Sequence, residues 1–445
     1  MTEHRELEAA VAVVLEQLTG ERLLAAARGM TDIASPTGVE RPLAEWVASE
    51  LVASGLDAEV QGIDESQANV VATIPGADGP SLLLYAPVDT FTTGDPALDI
   101  PGAAPSWRPD LAARAVVHGD IVEGLGAGNP KGHAAVVMAV LQALHASGVT
   151  PPGDVVGGFG AGGMPSFAVE GTGFSGRTNT GHGVGAAFLL ERGYTTDYAV
   201  IAKPGWTVLH EEVGLVWIDV TVHGVHTYAG SRHRLPYSNA VASAGRVAVA
   251  LEDWLDEYPR RHRYATMTPQ GIVSSVTGGI ERLGASTPAT VRLRLDLRIT
   301  TQQTPASVLR EVRHMLADVS DQLGVRVMAH QSAAVPASHT PPESPVVRAV
   351  VNAFESVSGG PHVPILENSG ATDANILRMR GVPTARVGMP KVAAMPDRSE
   401  IDFTSGMNLV DLREMRRLAE ILIRTVFLLP VEHFGRRHGQ LDTVN

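Results

Sequence analysis

Lys131 and Lys203 each sit beside a proline, in Asn129-Pro130-Lys131-Gly132 and in Lys203-Pro204. Either ammonium could hold an anionic group or a developing oxyanion. Asp89 follows the apolar run Ser81 to Ala86 through Pro87-Val88, at what reads as a strand end. His210, Glu211, Glu212, His226 and His233 lie close together in the chain and supply groups that take or give a proton. Tyr228 comes two residues after His226, on the same side of an extended strand, and either could donate a hydrogen bond to an oxyanion. Arg232, His233 and Arg234 precede Pro236 and Asn239, a cationic pattern that suits a carboxylate-bearing substrate. With no cysteine, thiolate nucleophiles, disulfides and Cys-type metal sites are excluded together.

Each of these residues also has a structural reading. Lys131 can be an exposed first-turn lysine, and Lys203 a loop residue paired to an acid. Asp89 can cap a loop, Asp373 can open a short helix, and Asn239 can serve as a helix N-cap. His133 and His182 read as structural.

The elements that must position these groups follow a layered α/β pattern. Residues 5–33 and 40–54 carry apolar positions at helical spacing, separated by the loop Ser35-Pro36-Thr37-Gly38. Strands are predicted near 57–63, 68–74, 81–86 and 153–160, the third apolar throughout, as expected for a strand covered on both faces. Asn129-Pro130 reads as N-cap and first residue of a helix to about 147. The Gly-, Ser- and Thr-rich segment 161–185 reads as a long loop near the site. From about 207 the rhythm becomes strand (214–222), helix (239–258), strands (271–278 and 289–298), helix (from Thr304-Pro305 to 322) and strand (325–330). That β-α-β-β-α-β order is the split ferredoxin-like unit. A helix from Ser344-Pro345, a short helix from Asp373, a strand at 383–388 and a closing helix at 409–429 then resume the first pattern. The predicted organisation is a discontinuous α/β domain, 1–206 and 333–445, with an inserted domain at 207–332.

Composition narrows the partners. A chain of 445 residues with 44% hydrophobic residues can fill two cores. A formal charge of −13 argues against a nucleic-acid partner, which would need a basic face. No apolar run approaches the roughly 20 residues of a membrane span. Small molecules and proteins remain as partners, a small-molecule substrate being expected, and the acidic start lacks a basic-then-apolar signal segment, so a cytoplasmic location is expected.

Taken in order, several motifs resemble the zinc peptidase family of aminoacylase, succinyl-diaminopimelate desuccinylase and carboxypeptidase G. They are the Ser35 to Gly38 loop, Val88-Asp89-Thr90, Gly126 to Gly132, Gly224, Pro236 to Asn239, Asp296-Leu297-Arg298 and Gly370-Ala371-Thr372-Asp373-Ala374. The resemblance spans nearly the whole chain. It implies a layered α/β peptidase domain with an inserted ferredoxin-like lid and dimerisation domain, hence a homodimer.

It also implies where two zinc ions would be held, and there the chain departs from the family. The first His ligand falls on Pro87, the bridging Asp on Asn129, and the Glu pair within Ala161-Gly162-Gly163. A further carboxylate falls on Lys203, and no histidine occurs between His362 and His433 to supply the last ligand. No cofactor is therefore expected. A remodelled zinc site using His133, His182, His210 or His226 stays an alternative. The expectation is an amidohydrolase-like enzyme working without zinc on a C–N bond of a small carboxylate. Asp89, Lys131, Lys203, His226 and Tyr228 are the catalytic candidates. Asn129, Arg232, His233, Asn239 and Gly370 are the substrate-binding candidates. A catalytically inactive binding protein is the competing class.

Overall fold

The computed structural model describes residues 2–168, 181–395, 398 and 400–441. It divides into two compact units, one of residues 1–210, 340–364 and 372–445, the other of 211–339 and 365–371.

The first unit is built on a seven-stranded sheet. Its order is Asp57–Gly62, Ala68–Ile74, Val155–Gly160, Leu82–Pro87, Tyr198–Ala202, Thr384–Val387 and Val208–Leu209. The strands from Val155–Gly160 to Thr384–Val387 run parallel and the outer ones pair antiparallel. Leu82, Leu84 and Ala86 face the larger core, which holds Gly132–Ser147, Pro345–Ser358 and Leu412–Leu441. Leu83 and Tyr85 face the opposite core, with Val184–Glu191 and Ala374–Met379. Helices on both faces leave the central strand wholly buried, which explains its unbroken apolar run. Tyr85 fits only because its neighbour strand is glycine-rich: a Cβ at Gly160 would lie 1.7 Å from the Tyr85 hydroxyl.

The second unit runs Gly214–His223, Ala240–His262, Gly271–Gly278, Thr290–Ile299, Pro305–Leu323 and Val327–Val335. Its four-stranded antiparallel sheet has the order Gly271–Gly278, Thr290–Ile299, Gly214–His223, Val327–Val335, the ferredoxin-like arrangement. Alternate residues such as Val216, Ile218, Leu293 and Leu295 form the core under both helices. The Thr304 hydroxyl accepts from Ser307 N at the second helix in a reciprocal capping box.

Local departures from the sequence reading have local causes. The helix expected over 5–33 is two, Thr2–Gln17 and Gly20–Thr31, because Thr19 turns extended and caps the second. Asn129 does not cap a helix. It is extended, joined to Pro130 by a cis peptide bond, and the helix begins at Gly132. The loop expected over 161–185 ends at helix Val184–Glu191, and residues 169–180 of it lie outside the described residues. The strand Tyr198–Ala202 and a small sheet of Val116–His118, Ile121–Glu123 and Leu409–Asp411 were not foreseen. Among the described residues no helix is long and apolar enough to cross a membrane.

A candidate active site at the strand ends

In open α/β sheets, ligands bind beyond the carboxyl ends of the parallel strands. Here those ends carry Asp89, Ala161 to Met164, Lys203 and Gly388 to Met389. They are packed closely enough to require glycine. A Cβ at Gly388 would lie 1.7 Å from the Lys203 carbonyl oxygen, and one at Gly163 would lie 2.4 Å from Pro87 Cβ and 2.7 Å from Asp373 Oδ2.

Four successive backbone amides of this rim are held by buried side chains. Ala161 N donates to Asn69 Oδ1 (3.0 Å), Gly162 N to Glu40 Oε1 (2.9 Å), Gly163 N to Asp89 Oδ1 (2.8 Å) and Met164 N to Asp89 Oδ2 (3.0 Å). Glu40 Oε1 also accepts from Gly38 N and Gln67 Nε2. Burial, then the nearby Asp89, pushes the Glu40 carboxyl up to about 8, so it is largely protonated at neutral pH. Burial also raises Asp89, against the pull of Thr37, Met164 and the Lys203 charge. With their hydrogens committed to side chains, the amides of 161–164 do not form an oxyanion hole.

Lys203 is 5% exposed. Its Nζ donates to Asn129 Oδ1 at 3.3 Å and lies 3.9 Å from Met164 Sδ. The Asn129 amide nitrogen in turn contacts Met407 Sδ at 3.4 Å. Below them His133 accepts from Met389 N at 3.2 Å. Burial first, then the Lys203 and Arg386 charges, pushes its imidazole down to about 3, so the ring is neutral. Asp89, Asn129, Lys203 and Met164 thus belong to one site.

The other expected residues are placed differently. Asp89 pairs with neither lysine: its partners are Thr37 Oγ1 (2.7 Å) and the amides of Gly163 and Met164. Lys131 is not an exposed first-turn lysine. It is fully buried, donates to Ile33 O at 2.6 Å, and is pushed down to about 7 by burial. Asp373 lacks a side-chain capping bond and is instead buried beneath the rim, accepting from the Tyr85 hydroxyl at 2.8 Å.

In the second unit, Asn239 caps Ala240–His262 through Val241 N (2.9 Å). Arg232 stacks over Tyr237 at 4.4 Å, and His233 is exposed. Tyr228 is 60% exposed, and the His226 Nδ1–H donates to Thr287 O at 2.7 Å. Gly370 N donates to Asn368 Oδ1.

The donor set does not fit zinc. A proline, a neutral amide, the segment Ala161-Gly162-Gly163 and an ammonium stand where the resemblance places ligands, and an ammonium repels a dication. Among the described residues no group of three or more His, Cys, Asp or Glu side chains converges as a metal site.

Glu40 and the Tyr85–Asp373 pair were missed in the sequence. Glu40 opens a helix, where an acid is ordinarily explained by the helix dipole. The Tyr85 hydroxyl was the readable signal, since a phenol inside an otherwise apolar strand needs a partner. That partner lies 288 residues away.

No family model matches the chain. A succinyl-diaminopimelate desuccinylase from Methylobacterium sp. (strain 4-46) is 28% identical over 372 residues, 80% of this chain and 85% of that protein. A dipeptidase from Saccharomyces cerevisiae superposes with a TM-score of 0.71 at 12% identity, covering 95% of this chain and 98% of the other. Human carnosine dipeptidase 1 gives 0.67 at 14% identity, covering 96% and 99%. A metallo-carboxypeptidase of the M20 family from Sulfolobus solfataricus gives 0.65 at 14% identity, covering 92% and 99%.

Proposed function

We propose, from a chain that is a divergent homologue of the desuccinylase and carries the peptidase fold, that it is an amidohydrolase-type enzyme whose site uses Lys203 in place of a metal. The observation that carries this reading is the Lys203 Nζ to Asn129 Oδ1 contact of 3.3 Å at the strand ends. It puts an organic cation and a neutral amide where the resemblance places two metal-binding carboxylates.

In this reading the substrate is a small carboxylate with an amide-type C–N bond. Lys203 stabilises negative charge on the scissile carbonyl oxygen, and Asn129 holds the ammonium in place. Asp89 is a positioning residue: it fixes the Gly163 and Met164 backbone. Lys131 ties the strand-end loop to Ile33.

Chelator-treated protein should turn over members of a panel of N-acyl amino acids, cyclic amides and ureides, and Lys203→Met should lower kcat/KM by about a hundredfold or more. Stoichiometric zinc in unsupplemented protein, or turnover indifferent to Lys203→Met, overturns it.

A second reading, a binding protein without turnover, is favoured by the rim itself. Ala161, Gly162 and Gly163 offer no side chain that takes a proton, and their amides are already committed. Saturable binding of an N-acyl amino acid that is recovered unchanged, and lost in Lys203→Met, would select it.

A further inference from the structure

One face of the second unit's sheet carries the core, and the other carries a ladder of charged side chains on the strand Thr290–Ile299. It carries three arginines, Arg292, Arg294 and Arg298, with Asp296 between the last two. Arg294 is opposite Asp219 and grips it through two bonds, Nε to Oδ1 at 2.7 Å and Nη2 to Oδ2 at 3.0 Å. Arg298 pairs with Asp296, Nε to Oδ1 at 2.8 Å. Arg292, two residues before Arg294 on the same face, is exposed and makes no ion pair among the described residues; its charge acts on Asp219 from beyond ion-pair distance. Its cross-strand neighbours are Thr221 on one side and Thr277 on the other.

The row containing Arg292 borders a pocket that is open to solvent. A cavity of about 690 Å³ lies there, lined by Arg292, Thr221, Thr277, Thr290, Ser286 and His226 among others, with no acidic side chain in its wall. The His226 Nδ1–H is committed to Thr287 O, which holds the ring at the cavity edge. Each neighbouring arginine pairs directly with an internal carboxylate, and this one faces a pocket whose other polar side chains are hydroxyls and the His226 imidazole.

We propose that this cavity is a binding site for a small carboxylate-bearing molecule, whose carboxylate pairs with Arg292 as Asp219 pairs with Arg294. A guanidinium favours a planar two-oxygen acceptor, and hydroxyls from adjacent strands can donate to the same oxygens. The volume accommodates a ligand considerably larger than the carboxylate itself. This site is made wholly of the second unit's residues and does not rest on the role given to Lys203.

The test is calorimetric titration of the full chain with succinate and, separately, with inorganic phosphate. Succinate should bind the wild type in the millimolar range, and Arg292→Leu should weaken it by about tenfold or more, with partial recovery in Arg292→Lys. Thr221→Val, which keeps side-chain shape, should also weaken it, and Lys203→Met should leave this binding in place. Circular dichroism of each variant confirms its fold. Succinate binding unchanged in Arg292→Leu, or absent from the wild type at about 10 mM, overturns the site. Phosphate binding more tightly than succinate through Arg292 overturns the carboxylate assignment.

Discussion

The Tyr85 hydroxyl donates to Asp373 Oδ2 at 2.8 Å, and both side chains are buried under the rim that carries Gly163. The bond fastens the central strand Leu82–Pro87 to the start of helix Ala374–Met379. Burial and the Asp373 charge together hold the phenol well above its usual pKa, so it stays a donor at any ordinary pH. Tyr85→Phe keeps the ring and removes only the donor. It should cost about 1–3 kcal/mol, read as a lower midpoint in denaturant unfolding. An unchanged midpoint would show that the bond contributes nothing.

Glu40 gives a pH signature. Its folded pKa of about 8 lies above the unfolded value of about 4.3, so between those values the folded state holds more protons than the unfolded one. The stability it contributes is complete below about 4.3 and is lost as pH rises through about 8. Glu40→Gln preserves the acceptor for Gly38, Gly162 and Gln67 and cannot ionise. The variant should match the wild type near pH 4.5 and exceed it in stability at pH 8.5. Parallel stability curves for the two proteins would refute the assignment.

Lys203→Met separates stability from chemistry. A buried ammonium is costly to desolvate, and methionine of similar length would pack beside Met164. The variant should be as stable as the wild type or more so in thermal unfolding, while turnover or ligand binding at the strand ends is lost. A marked fall in Tm would make Lys203 a structural residue.

Gly388→Ala probes the close packing of the strand ends. The new Cβ would fall 1.7 Å from the backbone oxygen of Lys203, which no rotamer change can relieve. Destabilisation of several kcal/mol, about 3 or more, is expected from forcing two strand ends apart. A variant with wild-type unfolding behaviour would mean that the ends are not held as described.

The fold was legible because its signals are periodic and local. The apolar run at Leu82, the Thr304 capping box and the β-α-β-β-α-β rhythm each arise from neighbouring residues, whose propensities and burial point the same way. Tyr198–Ala202 escaped notice because a short apolar stretch resembles any buried segment, and Val184–Glu191 because its apolar residues follow a glycine-rich run.

What the chain alone determined was the inventory at the site: a proline, an amide, glycines and a lysine at positions that the resemblance assigns to metal ligands, with no histidine between 362 and 433. Only the tertiary structure decided who meets whom. Lys203 meets Asn129 rather than Asp89, Lys131 is spent on a backbone carbonyl, and Glu40 becomes a protonated buried acid. Of the three arginines on its strand, Arg292 lines a solvent-open pocket and makes no ion pair among the described residues. The reason is physical: side-chain identity is written locally, whereas burial and pairing depend on segments hundreds of residues apart being brought together by the sheet.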